Sequence, residues 1–218
     1  MREIKNQLAD RIIPKLNVIV IGLAVALVVW GVTIPALAHH GIAGRVSSNF
    51  LEGFISGLAH PIIGIDHLTF VIAVGLFSAI ITTGIWLPII FVLMALIGTG
   101  IHLMGLNLIF TEPFIAISVL LAGIVLVSRK QPKFWMMVAF TATTGLFHGY
   151  AYGESIIGAT IVPLTAYLIG FTLIQLCISL ISFKVVSIVS KQQFNHSAKI
   201  LRSVGFVIVG IGIAFLAN

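Results

Sequence analysis

Residues 86–105 read WLPIIFVLMALIGTGIHLMG and contain no charged side chain. A helix of about 20 apolar residues crosses the hydrocarbon core of a bilayer. Backbone polar groups in lipid must be bonded within the protein, so a run this apolar favours a helix. The strands of a membrane barrel would alternate polar and apolar residues, and this stretch does not. It therefore predicts an all-α integral membrane protein.

The rest of the chain is similarly apolar. Of 218 residues, 59% are hydrophobic and only 8% are charged, and the mean hydropathy is +1.18. Soluble domains carry about a quarter charged residues, so a water-facing surface of the usual kind is excluded. The length suits one compact bundle rather than two domains. A bundle of six transmembrane helices is predicted, at residues 61–82, 86–105, 112–128, 134–151, 156–183 and 198–217.

The N-terminus resembles a secretory leader. A basic start precedes an apolar run over Val18–Leu37, and the small residues Ala36 and Ala38 form an A-x-A pattern. These features are typical of a signal peptide, although the run is nearly long enough to span a membrane. Residues 1–38 are thus predicted to be a signal peptide, with cleavage after Ala38, or an uncleaved signal anchor. Residues 39–218 would form the six-helix transmembrane domain.

The positive charge indicates orientation rather than nucleic-acid binding. The formal net charge is +6, but the basic residues lie at helix ends and in loops, around 129–133 and 184–202. Basic loops stay on the cytoplasmic side, so the mature N-terminus and the C-terminus are predicted outside, with lipid as the surrounding partner. No nucleic-acid partner is predicted. The single cysteine, Cys177, excludes an intrachain disulfide and a cysteine metal cluster.

Ionisable residues inside the apolar spans indicate a functional path, because they are costly in a bilayer. They are His60, Asp66, His67, His102, Glu112, His148 and Glu154. Mixed imidazole and carboxylate ligands suit divalent nickel, cobalt, copper or zinc, and the lack of a thiolate cluster argues against Cu(I). A divalent-metal path is predicted. Each histidine taken alone could instead be a packing residue, and Glu112 could be a helix cap.

The first group of these residues is His60-Pro61-Ile62-Ile63-Gly64-Ile65-Asp66-His67. Proline suits the first turn of a helix, so a spanning helix is predicted to start near Pro61, after a short outer or re-entrant helix over Phe50–Ala59. His60 and His67 would then share one face of a regular helix. Asp66, about 100° away, would orient an imidazole or bind metal directly.

The second group is Phe147-His148-Gly149-Tyr150-Ala151-Tyr152-Gly153-Glu154. Gly149 and Gly153 form a small-xxx-small pair that favours close helix packing. Tyr152 is predicted to lie in the interfacial aromatic belt. Glu154 would lie at or just past the helix end.

These two motifs resemble the HupE/UreJ family of membrane proteins, as do the leader ending in Ala38-His39-His40-Gly41 and the run Glu112–Leu120. The resemblance implies uptake of Ni²⁺ or Co²⁺ across a bacterial inner membrane, with no tightly bound cofactor. It implies that the metal path consists of His60, Asp66, His67, His148 and Glu154. One departure is Tyr152, where many members have a further histidine.

Cleavage after Ala38 would leave His39 and His40 beside a free α-amino group. Such a cluster could capture Ni²⁺ or Co²⁺ outside the membrane, and protons would compete with it below about pH 6.5. Alternatively, the two histidines merely follow a cleavage site.

Two other functions stay open. One is a metal-delivery accessory protein for hydrogenase, urease or cobalamin synthesis that transports nothing itself. The other is a membrane metalloenzyme, which is disfavoured because the H-E-x-x-H and G-x-S-x-G motifs are absent. Association into a homo-oligomer is also left open.

Overall fold

A computed structural model describes residues 46–128, 132–192 and 194–217. The elements in these ranges are helical and run in the order α1 (Phe50–Ile63), α2 (Ile65–Ile80), α3 (Trp86–Leu103), α4 (Thr111–Val127), α5 (Phe134–Gly153), a short 3₁₀ turn (Glu154–Ile156), α6 (Ile161–Gln192) and α7 (Phe194–Leu216). The all-helical fold is confirmed for this part of the chain. The leader, with His39 and His40, lies outside the described residues.

The start of α1 is fixed by side chains. Asn49 is the N-cap, and its side-chain oxygen accepts the backbone N–H of Glu52 at 3.0 Å. The Glu52 carboxylate accepts in return from the backbone N–H of Ser48 at 2.8 Å. The first contact satisfies an N–H group that a helix start leaves unpaired, and the second fixes the residue before the N-cap.

The expectation of a new helix starting near Pro61 is wrong. Helix α1 continues through Pro61 to Ile63, and the chain breaks at Gly64, where α2 begins at an angle of 81°. Proline removes one N–H, but the last turn still closes, because the N–H of Gly64 donates to the carbonyl of His60 at 3.2 Å. The extended backbone of Gly64 (φ −72°, ψ 104°) then ends the helix.

Three predicted spans agree with α3, α4 and α5 to within two residues at either end. The predicted span 156–183 corresponds to α6, which starts later and extends to Gln192. Its start is delayed because the 3₁₀ turn and Gly158, whose φ is +80°, intervene. Its end lies past Lys184 because a charged residue ends an apolar span without ending a helix.

Three helices are long and apolar enough to cross a membrane, over Trp86–Leu103, Ile161–Val189 and Ala198–Leu216, and the bent pair α1–α2 would make a fourth. Helix α4 is apolar but has only 17 residues. Helix α5 carries the polar residues Thr141, Thr144 and His148, all of them fully buried in the bundle. The described residues thus form a helical bundle with several membrane-crossing candidates, and the count of six stays a prediction.

Glycines let the helices pack closely. A Cβ on Gly149 would collide with the carbonyl of Ala95 on α3, and one on Gly153 would lie 2.7 Å from the Cβ of His102. The predicted small-xxx-small contact is therefore present between α5 and α3. Gly53 of α1 meets Pro163 of α6 in the same way.

These contacts place several helix ends at one end of the bundle, together with the stacking of Phe114 on Phe147 at 3.9 Å and the hydrogen bond from the Tyr167 hydroxyl on α6 to the Tyr152 carbonyl on α5. They are the starts of α1, α4 and α6 and the ends of α3 and α5.

Candidate functional site

The break at Gly64 separates the two histidines of the first motif. His60 lies in the last turn of α1 and His67 in the first turn of α2, so they do not share a face of one regular helix, as the sequence had suggested. The 81° bend nevertheless brings them together, with ring centroids 6.0 Å apart. Both are buried, with 7% and 1% of their surfaces exposed.

His67 makes a direct contact with the histidine of the second motif. Its Nδ1 lies 2.9 Å from Nδ1 of His148 on α5. The other ring nitrogen of His148, Nε2, lies 3.0 Å from the hydroxyl of Ser118 on α4. His148 is fully buried, and its ring packs against Phe70 at a centroid distance of 4.7 Å. The imidazole pair therefore joins three helices inside an apolar wall.

Tyr152 completes this cluster and is not a belt residue. Its ring lies 5.1 Å from that of His60 and 4.5 Å from that of His67, and the side chain is fully buried. Its hydroxyl finds no hydrogen-bond partner among the described residues. The backbone carbonyl of Tyr152 accepts a hydrogen bond from the Tyr167 hydroxyl at 3.0 Å, which ties the end of α5 to α6.

The carboxylates lie nearer the surface. Asp66 is half-buried, and its Oδ1 accepts the backbone N–H of His67 at 2.8 Å, so this contact fixes the main chain at the start of α2. Glu112 is exposed in the first turn of α4, where a negative charge favours the helix dipole. Glu154 is exposed and directly follows α5, as predicted.

His102 lies apart from the other histidines, in the last turn of α3. It is half-buried and contacts Tyr150, with ring centroids 4.3 Å apart. Its Nδ1 is buried without a partner in the described part of the chain. His102 lies beside Gly153 at the end of α5, but it does not belong to the cluster of His60, His67, His148 and Tyr152.

The structure thus brings together His60, His67 and His148, with Tyr152 and Ser118 beside them. Within residues 46–128, 132–192 and 194–217, no group of three or more His, Cys, Asp or Glu side chains is arranged to hold one metal ion. Sequence reasoning missed Ser118, and it misplaced Tyr152. The signal for both was a polar group inside an otherwise apolar helix.

The fold and the buried imidazoles define a class: a multi-pass helical membrane protein with a polar centre between a broken helix and its neighbours. The chain belongs to the HupE/UreJ family: the sequence model of this family, described as "HupE / UreJ protein", matches residues 25–215. The chain is 28% identical over 141 residues to Protein HupE of Rhizobium leguminosarum bv. viciae. The aligned residues make up 64% of this chain and 73% of the relative. No solved structure matches it.

Proposed function

We propose that the protein takes up Ni²⁺ or Co²⁺ across the bacterial inner membrane. The observation that carries the proposal is the buried contact between His67 and His148, with His60 next to it. Imidazole nitrogen is a preferred ligand for both ions. Membership in the HupE/UreJ family supports a nickel- or cobalt-related role.

The arrangement suits passage better than permanent storage. Conduction requires binding strong enough for the ion to enter and weak enough for it to leave. The few imidazole ligands that the described residues offer meet this requirement, with water supplying the other ligands. The carboxylates of Glu112 and Glu154 attract the cation at the end of the bundle where it enters, and His102 is a further contact there. Asp66 adds a negative charge beside His67.

The proposed topology has six spans, with α1 and α2 forming a single broken span. The basic loops lie in the cytoplasm, and the mature N-terminus and the C-terminus lie outside. The cluster then faces the outer side, from which a cation arrives. An inward-negative potential contributes about 4.6 kcal/mol per 100 mV for a divalent ion, twice the value for one charge. That is enough to drive accumulation without a nucleotide.

Reconstituted vesicles test the proposal. Purified protein in liposomes with an imposed inward-negative potential should accumulate radiolabelled Ni²⁺ or Co²⁺ at sub-micromolar concentration, and empty liposomes should not. A folded protein that binds either ion without moving it would instead support the accessory role. A folded protein that neither binds nor moves them would refute a metal function altogether.

A further inference from the structure

Ser118 lies next to the histidine cluster but outside both histidine motifs. It is on α4, with 1% of its surface exposed. Its Oγ lies 2.7 Å from the carbonyl oxygen of Ile115 and 3.0 Å from Nε2 of His148. One hydroxyl therefore connects a backbone carbonyl to an imidazole.

The proton of this hydroxyl can be assigned. A serine hydroxyl carries one hydrogen, and a carbonyl oxygen can only accept. The hydrogen of Ser118 is consequently donated to Ile115, and its oxygen must accept from His148. His148 then carries a hydrogen on Nε2. An uncompensated charge would be costly in this fully buried position, so the ring is neutral and its Nδ1 bears a lone pair.

The same reasoning extends to His67. Nδ1 of His148 is an acceptor, so the nitrogen 2.9 Å away, Nδ1 of His67, must be the donor. A neutral His67 with hydrogen on Nδ1 has its lone pair on Nε2. Metal ions bind imidazole through a lone-pair nitrogen.

We propose that Ser118 is a positioning residue of the metal path: through His148 it fixes the tautomer of His67, which presents Nε2 to the cation. His148 accordingly acts through His67 and is not itself a ligand. The inference rests on the proposed function for the identity of the cation. Partners of this kind fix the tautomer and orientation of metal-binding histidines, and their loss typically costs about 10–100-fold in affinity.

The surroundings of His67 agree with this assignment. A Cβ on Gly64 would lie 2.6 Å from Cδ2 of His67 and 3.1 Å from Oδ1 of Asp66. Cδ2 is bonded to Nε2, so this edge of the ring lies at the break between α1 and α2, close to the Asp66 carboxylate. A cation at Nε2 would meet a negative charge there.

The tautomers can be measured without metal and without transport. In ¹⁵N spectra of the full-length, histidine-labelled protein, hydrogen-bearing and lone-pair ring nitrogens resonate at well-separated shifts. His148 should carry hydrogen on Nε2 and His67 on Nδ1, and Ser118→Ala should convert His148 to a mixture of tautomers. Ser78→Ala is the matched control, because Ser78 is a buried serine that donates to the carbonyl of Val74 on its own helix at 2.8 Å. A wild-type His148 with hydrogen on Nδ1, or an unchanged Ser118→Ala spectrum, would overturn the proposal.

Substitutions at His148 separate positioning from ligation. In His148→Asn the amide oxygen takes the place of Nδ1 and can still accept from His67, whereas His148→Leu cannot accept. Ser118→Ala and His148→Leu should weaken Ni²⁺ binding to the purified protein about 10–100-fold, and His148→Asn should recover most of that loss. Equal losses in His148→Asn and His148→Leu would show that His148 is a ligand and refute the positioning role. If vesicle uptake fails while these binding and spectral results hold, only the transport proposal is refuted.

Discussion

Gly64→Ala should disable the site while leaving the fold in place. The backbone of Gly64 (φ −72°, ψ 104°) is in a region open to alanine, so the substitution creates no backbone strain. The new Cβ, however, would lie 2.6 Å from Cδ2 of His67. Ordinary carbon–carbon contacts are about 3.5–4.0 Å, so the His67 ring must retreat by about 1 Å.

A movement of that size breaks the contact with His148. The Nδ1–Nδ1 distance is 2.9 Å, and a retreat of about 1 Å can carry it beyond hydrogen-bonding range. We therefore expect Ni²⁺ uptake into vesicles to fall at least about tenfold, since a 1 Å misplacement can cost 10²-fold in a preorganised site. Gly100→Ala is the control, because a Cβ there meets nothing within 4 Å. Both variants should purify as folded protein with similar thermal stability. Normal uptake by folded Gly64→Ala would refute the reasoning.

Three further predictions concern other groups of the path. His67→Ala and Asp66→Asn should abolish vesicle uptake while expression stays near wild type, because they remove a cation-binding nitrogen and a charge; full uptake in either would remove that residue from the path. Tyr152→Phe should keep or raise thermal stability, since an unpartnered buried hydroxyl costs about 1–3 kcal/mol; a loss of stability would contradict this. If N-terminal sequencing finds His39 first, His39→Ala/His40→Ala should raise the apparent KM with a largely retained maximal rate, and an intact Met1 terminus would exclude the capture site.

Local sequence properties were enough to predict the helices and the candidate residues. Apolar runs over α3, α4 and α5 predicted their bounds closely, because burial in lipid forces such runs to be helical. Ionisable residues are rare in the apolar runs of this chain, so the sequence alone was enough to select His67 and His148. The N-cap at Ser48–Glu52 also has a signal in the sequence, an asparagine followed three residues later by a glutamate.

Tertiary structure alone decided how these residues are arranged. The first break came at Gly64 rather than Pro61, because one missing N–H does not end a helix whose last turn still closes. The contact between His67 and His148 joins positions far apart in the chain, and helix packing rather than sequence spacing sets that distance. Ser118 lies within the run Glu112–Leu120. A serine in a membrane helix usually bonds its own backbone, however, so the residue type alone did not indicate a role in the site. Only the packing of α4 against α5 gives its oxygen a second partner, and the single hydrogen of the hydroxyl then determines which nitrogen of His148 is protonated.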